Sequence, residues 1–192
     1  MIFRALSLVG LSLSLAMPVV AQQPPTPETR AQSPSPLKRK PRVAEKKAGA
    51  PKSIGTYDDW IAATYRESDQ TVCYAFTRAQ SSAPEVKGRG SVVLTVTQRT
   101  SGRDAVALEA GFLYAANATV TVQADQKGLD FYTAQRNAFA RNGREAVAAF
   151  ESSSRAIARS PGPRDVKTVT DSFSLKGFKA AYSAINKACP GR

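Results

Sequence analysis

Between Ser91 and Gln98 the chain reads SVVLTVTQ, which puts Val92, Leu94 and Val96 on one side of an extended backbone and Val93, Thr95 and Thr97 on the other. Side chains alternate across a strand with a period of two, so this pattern describes a strand with one buried face. The same period recurs in WIAATYR (60–66), TVCYAFTR (71–78), DAVALEAG (104–111), TVTVQA (119–124), LDFYTA (129–134), SRAIAR (154–159) and VKTVTDSFS (166–174). The segments between them, QSSAPEVKGRG, TSGRD, DQKG and SPGPRD, carry the Gly, Pro, Asp and Ser of turns. Residues 54–192 are of a length that suits one core. The expectation is a mainly β domain, an antiparallel sandwich or barrel-like body.

Two helices interrupt the strands. NGREAVAAFESS opens with Asn142 as N-cap and Glu145 three residues on, a capping-box variant, with Val147 and Phe150 as a short apolar face. Near the end, Ser174 is the expected N-cap of a helix on which Phe178, Ala181, Tyr182, Ile185 and Ala188 recur at helical spacing. Cys189 flanks that face, Lys187 suits the negative end of the helix dipole, and Pro190-Gly191 stops the helix.

Ahead of this body, Met1–Ala21 places Arg4 before an apolar run that Pro18 breaks, with Val19-Val20-Ala21 at a cleavage site between Ala21 and Gln22. That is the pattern of a secretory signal peptide. The alternative, a membrane anchor, needs about 20 apolar residues, and this run is shorter. No transmembrane segment is expected further on, and a periplasmic or secreted location follows. Residues 22–53 hold seven of the chain's twelve prolines and no aromatic residue, so they read as a disordered, basic linker. Eight basic residues against two acidic ones give this linker half of the chain's net charge of +12. Lys38, Arg39, Lys40, Arg42, Lys46 and Lys47 would attract anionic lipid or polysaccharide weakly and in a salt-dependent way. A merely solvated spacer is the alternative, and specific nucleic-acid binding is not expected.

Export bears on the two cysteines. In an oxidising compartment Cys73 and Cys189 are expected to pair, and with only two there is one intramolecular connectivity. Loop-closure entropy puts an upper figure of roughly 4–5 kcal/mol on so long a loop. Two buried free thiols are the other possibility.

Catalytic chemistry has little to stand on. The chain has no His, which removes Ser-His-Asp and Cys-His arrangements and every His-containing metal site. No nucleophile elbow, phosphate loop or dinucleotide fingerprint is present, and GRG at 88–90 reads as a turn. No cofactor or metal is implied. Paired carboxylates are the remaining enzymatic route, as in a hydrolase of envelope glycans, but adjacent Asp58 and Asp59 should diverge across a strand entrance. Asp130 is a further candidate, and Asp165 and Asp171 read as turn and strand-surface residues. Tyr57, Trp60, Tyr65, Tyr74, Phe76, Phe112, Tyr114, Phe131, Tyr132 and Phe139, interleaved with Arg66, Arg78, Arg99 and Arg136, suggest either a stacking platform or core, and core is the expectation. Asn117-Ala118-Thr119 matches a glycosylation sequon but reads as a turn.

Several stretches resemble the invasion-associated locus B family of exported alphaproteobacterial proteins: YDDW (57–60), VCYAFT (72–77), VTVQADQKGLDFYTAQRNAF (120–139) and above all DSFSLKGFKAAYSAINKAC (171–189). The resemblance covers 54–192. It implies a β-rich envelope domain without established enzymatic activity, hence no catalytic residues, and a binding or structural module whose protein or envelope partner is unknown. WIAATYRES lacks the extra cysteine some members carry after the first Trp, and Phe139 stands where relatives often have Trp. A link to host-cell invasion, or a secreted host-contact role, is implied only where the source is a pathogen.

Overall fold

The computed structural model describes residues 49–191. The signal peptide, the Ala21–Gln22 cleavage site and the basic residues Lys38, Arg39, Lys40, Arg42, Lys46 and Lys47 lie outside the described residues. The alternating runs form strands β1 (Lys52–Tyr57), β2 (Trp60–Glu67), β3 (Gln70–Arg78), β4 (Ser81–Ala83), β5 (Val93–Arg99), β6 (Gly102–Glu109), β7 (Thr119–Ala124), β8 (Lys127–Ala134) and β9 (Asn137–Ala140). Helix α1 (Gly143–Glu151) precedes β10 (Arg155–Pro161) and β11 (Thr168–Ser174), and α2 (Phe178–Ala188) follows. All eleven strands belong to one sheet in the order β1-β2-β3-β5-β6-β9-β8-β7-β10-β11-β4. Every pairing is antiparallel.

The period-two pattern decides which side is inside. Trp60 and Ala62, then Cys73 and Ala75, Leu94 and Val96, Val106 and Leu108 carry the buried face from β2 to β6. Leu129 and Phe131, Val120 and Val122, Ala156 and Ala158, and Val169 and Phe173 continue it to β11. The sheet coils on itself: Gln80 N–H donates to Ser172 O at 2.8 Å, and the Trp60 indole N–H donates to Ser174 O at 3.0 Å. This gives the sandwich-like, mainly β body with one inserted and one C-terminal helix.

Helix α1 starts where the sequence places it. Asn142 is extended (φ −131, ψ 96) and its side chain accepts from Glu145 N–H at 3.1 Å. The Glu145 carboxylate pairs with Lys127 Nζ at 2.6 Å. Helix α2 does not start at Ser174. That residue is still in the β11 ladder, opposite Arg155, and its hydroxyl accepts from Lys176 N–H. The turn into α2 is made by Gly177 at φ 87, where a Cβ would lie 1.9 Å from Tyr57 O, so only glycine fits. Phe178, Ala181 and Ile185 are buried as expected, whereas Ala188 is exposed. Phe178 joins three elements, with ring centroids 4.8 Å from Trp60 and 5.6 Å from Phe150.

Strands β1, β4 and β9 are additions to the sequence reading. Lys52 and Ser53 belong to β1, and Gly49 N–H donates to Arg66 O at 3.1 Å, so residues ahead of 54 also take part in the sheet and its backbone hydrogen bonds.

Candidate functional site

Cys73 and Cys189 are bonded, with Cα atoms 6.0 Å apart and a sequence separation of 116. Cys73 is wholly buried on the inner face of β3, while Cys189 caps the C-terminus of α2 and is half-buried. Directly opposite Cys73 in the ladder stands Gln98, also wholly buried. Its amide nitrogen donates to Asn186 Oδ1 at 2.7 Å and to Asp104 Oδ1 at 3.3 Å. Tyr182 donates to the same Asp104 oxygen at 2.8 Å. Arg103 donates to Cys189 O at 2.7 Å, satisfying a carbonyl at the helix end, and to Asn186 Oδ1 at 2.6 Å. Burial, reinforced by its bond to the Asp104 carboxylate, pushes the Tyr182 phenol up to about 12, so it remains a donor at physiological pH.

Around this network is a cavity of about 200 Å³ lined by Thr71, Gln98, Arg99, Arg103, Cys189 and Pro190 among others. Position 98 continues the phase of Leu94 and Val96, so its burial was written in the alternation. Its partners on α2 and β6 had no local signal.

A second polar cluster corrects the reading of Asp171 as a strand-surface residue. The Asp171 side chain is 0% exposed and that of Arg89 is 7% exposed. The two terminal guanidinium nitrogens of Arg89, Nη1 and Nη2, donate to the two carboxylate oxygens at 2.7 Å each, and Ser82 donates to Oδ1 at 2.7 Å. Arg89 also donates from Nε to Ala110 O at 2.7 Å and lies over the Phe112 ring at 5.1 Å. The GRG segment therefore delivers a buried bidentate partner. Nearby, Tyr114 and Ser160 share a hydrogen bond of 3.1 Å, and burial raises the Tyr114 phenol.

The other candidate acids, Asp58, Asp59, Asp130 and Asp165, do not share a cleft with one another, although Asp130 borders the same hollow as Glu145. Asp58 is paired with Lys176 at 3.1 Å. Asp59 borders a hollow with Ile61 and Phe76, and Asp130 borders another with Leu129 and Arg141. Asp165 is exposed ahead of β11. Among the described residues no group of three or more His, Cys, Asp or Glu is placed to hold a metal ion.

The aromatic residues divide. Trp60, Phe112, Tyr114 and Phe131 are buried. Tyr65, Tyr74 and Phe76 instead form a half-buried row on the outer face, with centroids 5.7 Å and 5.9 Å apart. Arg99 borders this row, donating to the Tyr65 hydroxyl at 3.0 Å and to Glu67 at 2.8 Å. That hydrogen bond holds the Glu67 carboxyl below its usual range. Tyr132 and Phe139 stack at 5.6 Å on the outer side of β8 and β9, and Tyr132 is 45% exposed. Core alone is therefore too simple a reading of these rings. Asn117 adopts φ 59 in the turn before β7.

A coiled antiparallel sheet, capped by a C-terminal helix and stapled to it by one disulfide, defines a mainly β, helix-capped class of domain. The family model described as Invasion associated locus B (IalB) protein matches residues 60–186, and the chain belongs to that family. The fold is similar to the crystal structure of invasion associated protein B from Bartonella henselae, at 14% identity and a TM-score of 0.52, over 70% of this chain and 95% of that one. Comparison with curated proteins gives no match.

Proposed function

We propose that this IalB-family protein is exported to the periplasm or cell envelope and works there as a non-enzymatic binding or structural module. The observation that carries the reading is the closed Cys73–Cys189 bond, because such bonds form and persist in oxidising compartments. The non-enzymatic reading is supported by the candidate acids: Asp58 is paired with Lys176, Asp165 is exposed and Asp171 is held by Arg89. The basic linker adds salt-sensitive attraction to anionic lipid or polysaccharide.

The test is to trap thiols in intact cells with an alkylating reagent, fractionate them and weigh the protein. The reading expects a periplasmic or envelope pool whose two cysteines react only after reduction. Freely alkylated cysteines, or recovery only from the cytoplasm, would overturn it. In-cell crosslinking of that pool then identifies what the module holds.

A further inference from the structure

The outer face of the sheet is not uniform. From β2 to β9 the ladder sets Ile61, Phe76, Thr95, Ala107 and Phe139 side by side in one transverse row, one residue per strand and none of them charged. Ile61 is exposed and the other four are partly exposed. Farther along, the same face turns polar, with Thr121 of β7, Arg159 of β10 and Thr170 of β11 adjacent in the ladder. The solvated side of an antiparallel sheet is ordinarily polar, so the apolar row raises the question of what covers it.

The row is symmetric about β5. Outward from Thr95, Phe76 on β3 is balanced by Ala107 on β6, and Ile61 on β2 by Phe139 on β9. The neighbouring row places Arg78 on β3 and Glu109 on β6, one on each side of Val93. Both are exposed, and neither side chain has a partner among the described residues. Two strand spacings, about 10 Å, separate their backbones. A two-fold axis along β5 would lay β3 of one molecule over β6 of a second. Phe76 then meets the small Ala107, Ile61 meets Phe139, and Arg78 meets Glu109 twice over. An isologous interface needs this self-complementarity, in steric fit and in charge.

We propose that the outer face of β2, β3, β5, β6 and β9 is a homodimer interface, formed with a second copy of this chain related by a two-fold axis along β5. Two sheets packed in this way lie about 10 Å apart with their strands nearly aligned. The sheet coils, so the closest approach runs along β3, β5 and β6. Five strands span roughly 19 Å, which is narrow for a specific interface and places association in the micromolar-to-millimolar range. The surface is independent of the linker and of the export reading.

The test uses the full chain with its disulfide intact, sedimented at concentrations from about 10 μM to about 1 mM. The parent should pass from monomer towards dimer over that range. Isotope-filtered NMR on a mixture of labelled and unlabelled protein should show contacts between the Phe76 ring of one copy and the Ala107 methyl of the other. Arg78→Glu and Glu109→Arg, each alone, should weaken self-association roughly tenfold or more, because like charges then meet. Mixing the two variants should restore dimers, since every contact at these positions again joins opposite charges. Urea unfolding of each variant should match that of the parent, because both positions are on the surface. A monomer throughout, a dimer without the Phe76–Ala107 contacts, or a mixture that restores nothing overturns the proposal. So does a monomer whose Phe76 and Phe139 signals broaden only on vesicles of phosphatidylcholine and phosphatidylglycerol, which would give the face to lipid instead.

Discussion

Asp171 and Arg89 satisfy each other inside the protein, and that mutual dependence is measurable. Removing one partner of a buried ion pair strands the other charge, at a cost of about 3–5 kcal/mol. Asp171→Ala should therefore lower stability in urea unfolding by about that much. The joint change Asp171→Leu with Arg89→Met should cost clearly less than the single change, because no charge is left unpaired. Tyr182 makes a second prediction, on pH. Its phenol is raised from an ordinary 10.0 to about 12, so the fold favours the protonated form. That advantage is whole below pH 10 and is lost as the pH climbs to about 12, because the unfolded chain ionises first. Half-exposure and solvent screening hold the effect to roughly 1 kcal/mol or less. Tyr182→Phe should flatten this part of the stability curve relative to the parent. Position 171 was legible in one respect, since it lies in phase with Val169 and Phe173 on the buried face of β11. Its partner was not, because Arg89 sits 82 residues away in a loop with no periodicity.

Helix α2 depends on two local features that differ in kind. Gly177 turns the chain where any side chain would strike the Tyr57 carbonyl. Gly177→Ala should destabilise by more than about 1 kcal/mol and loosen α2 against β1 and β2, read as faster amide exchange in the helix. The disulfide acts at the other end of the same helix. Cys73→Ser with Cys189→Ser should cost about 2–5 kcal/mol, with α2 losing exchange protection before β5 and β6 do. Elements with strong alternation were readable from the sequence, and β7 matches its expected residues at both ends. Elements that exist only because a neighbour pairs with them were not. Ser81–Ala83 is a strand because β11 lies beside it, Asn137–Ala140 because β6 and β8 flank it, and Lys52–Tyr57 bends through a register shift at Ser53 and Gly55. Ser174 misled for a related reason: a good capping residue was already held in the β10–β11 ladder.

For the whole molecule, the proposed basic linker can be tested apart from the folded body. Because Gly49 already bonds to Arg66 and β1 begins at Lys52, the clean deletion is 22–48. That variant should keep the parent's unfolding transition. It should also lose salt-sensitive retention on membranes or vesicles containing anionic lipid, measured by co-sedimentation at low and high ionic strength. Unchanged retention would assign the linker a spacer role. The disulfide also decides how this body would answer to force. If the N-terminal side is held by the envelope and the C-terminal end is pulled, tension runs through β1, β2 and the start of β3, crosses the sulfur bridge and leaves by way of Cys189. Every strand from β4 to β11, and both helices, lie inside the closed loop and carry none of it. A tug on the tethered protein can peel only its first strands, while most of the core remains slack until the bridge is reduced.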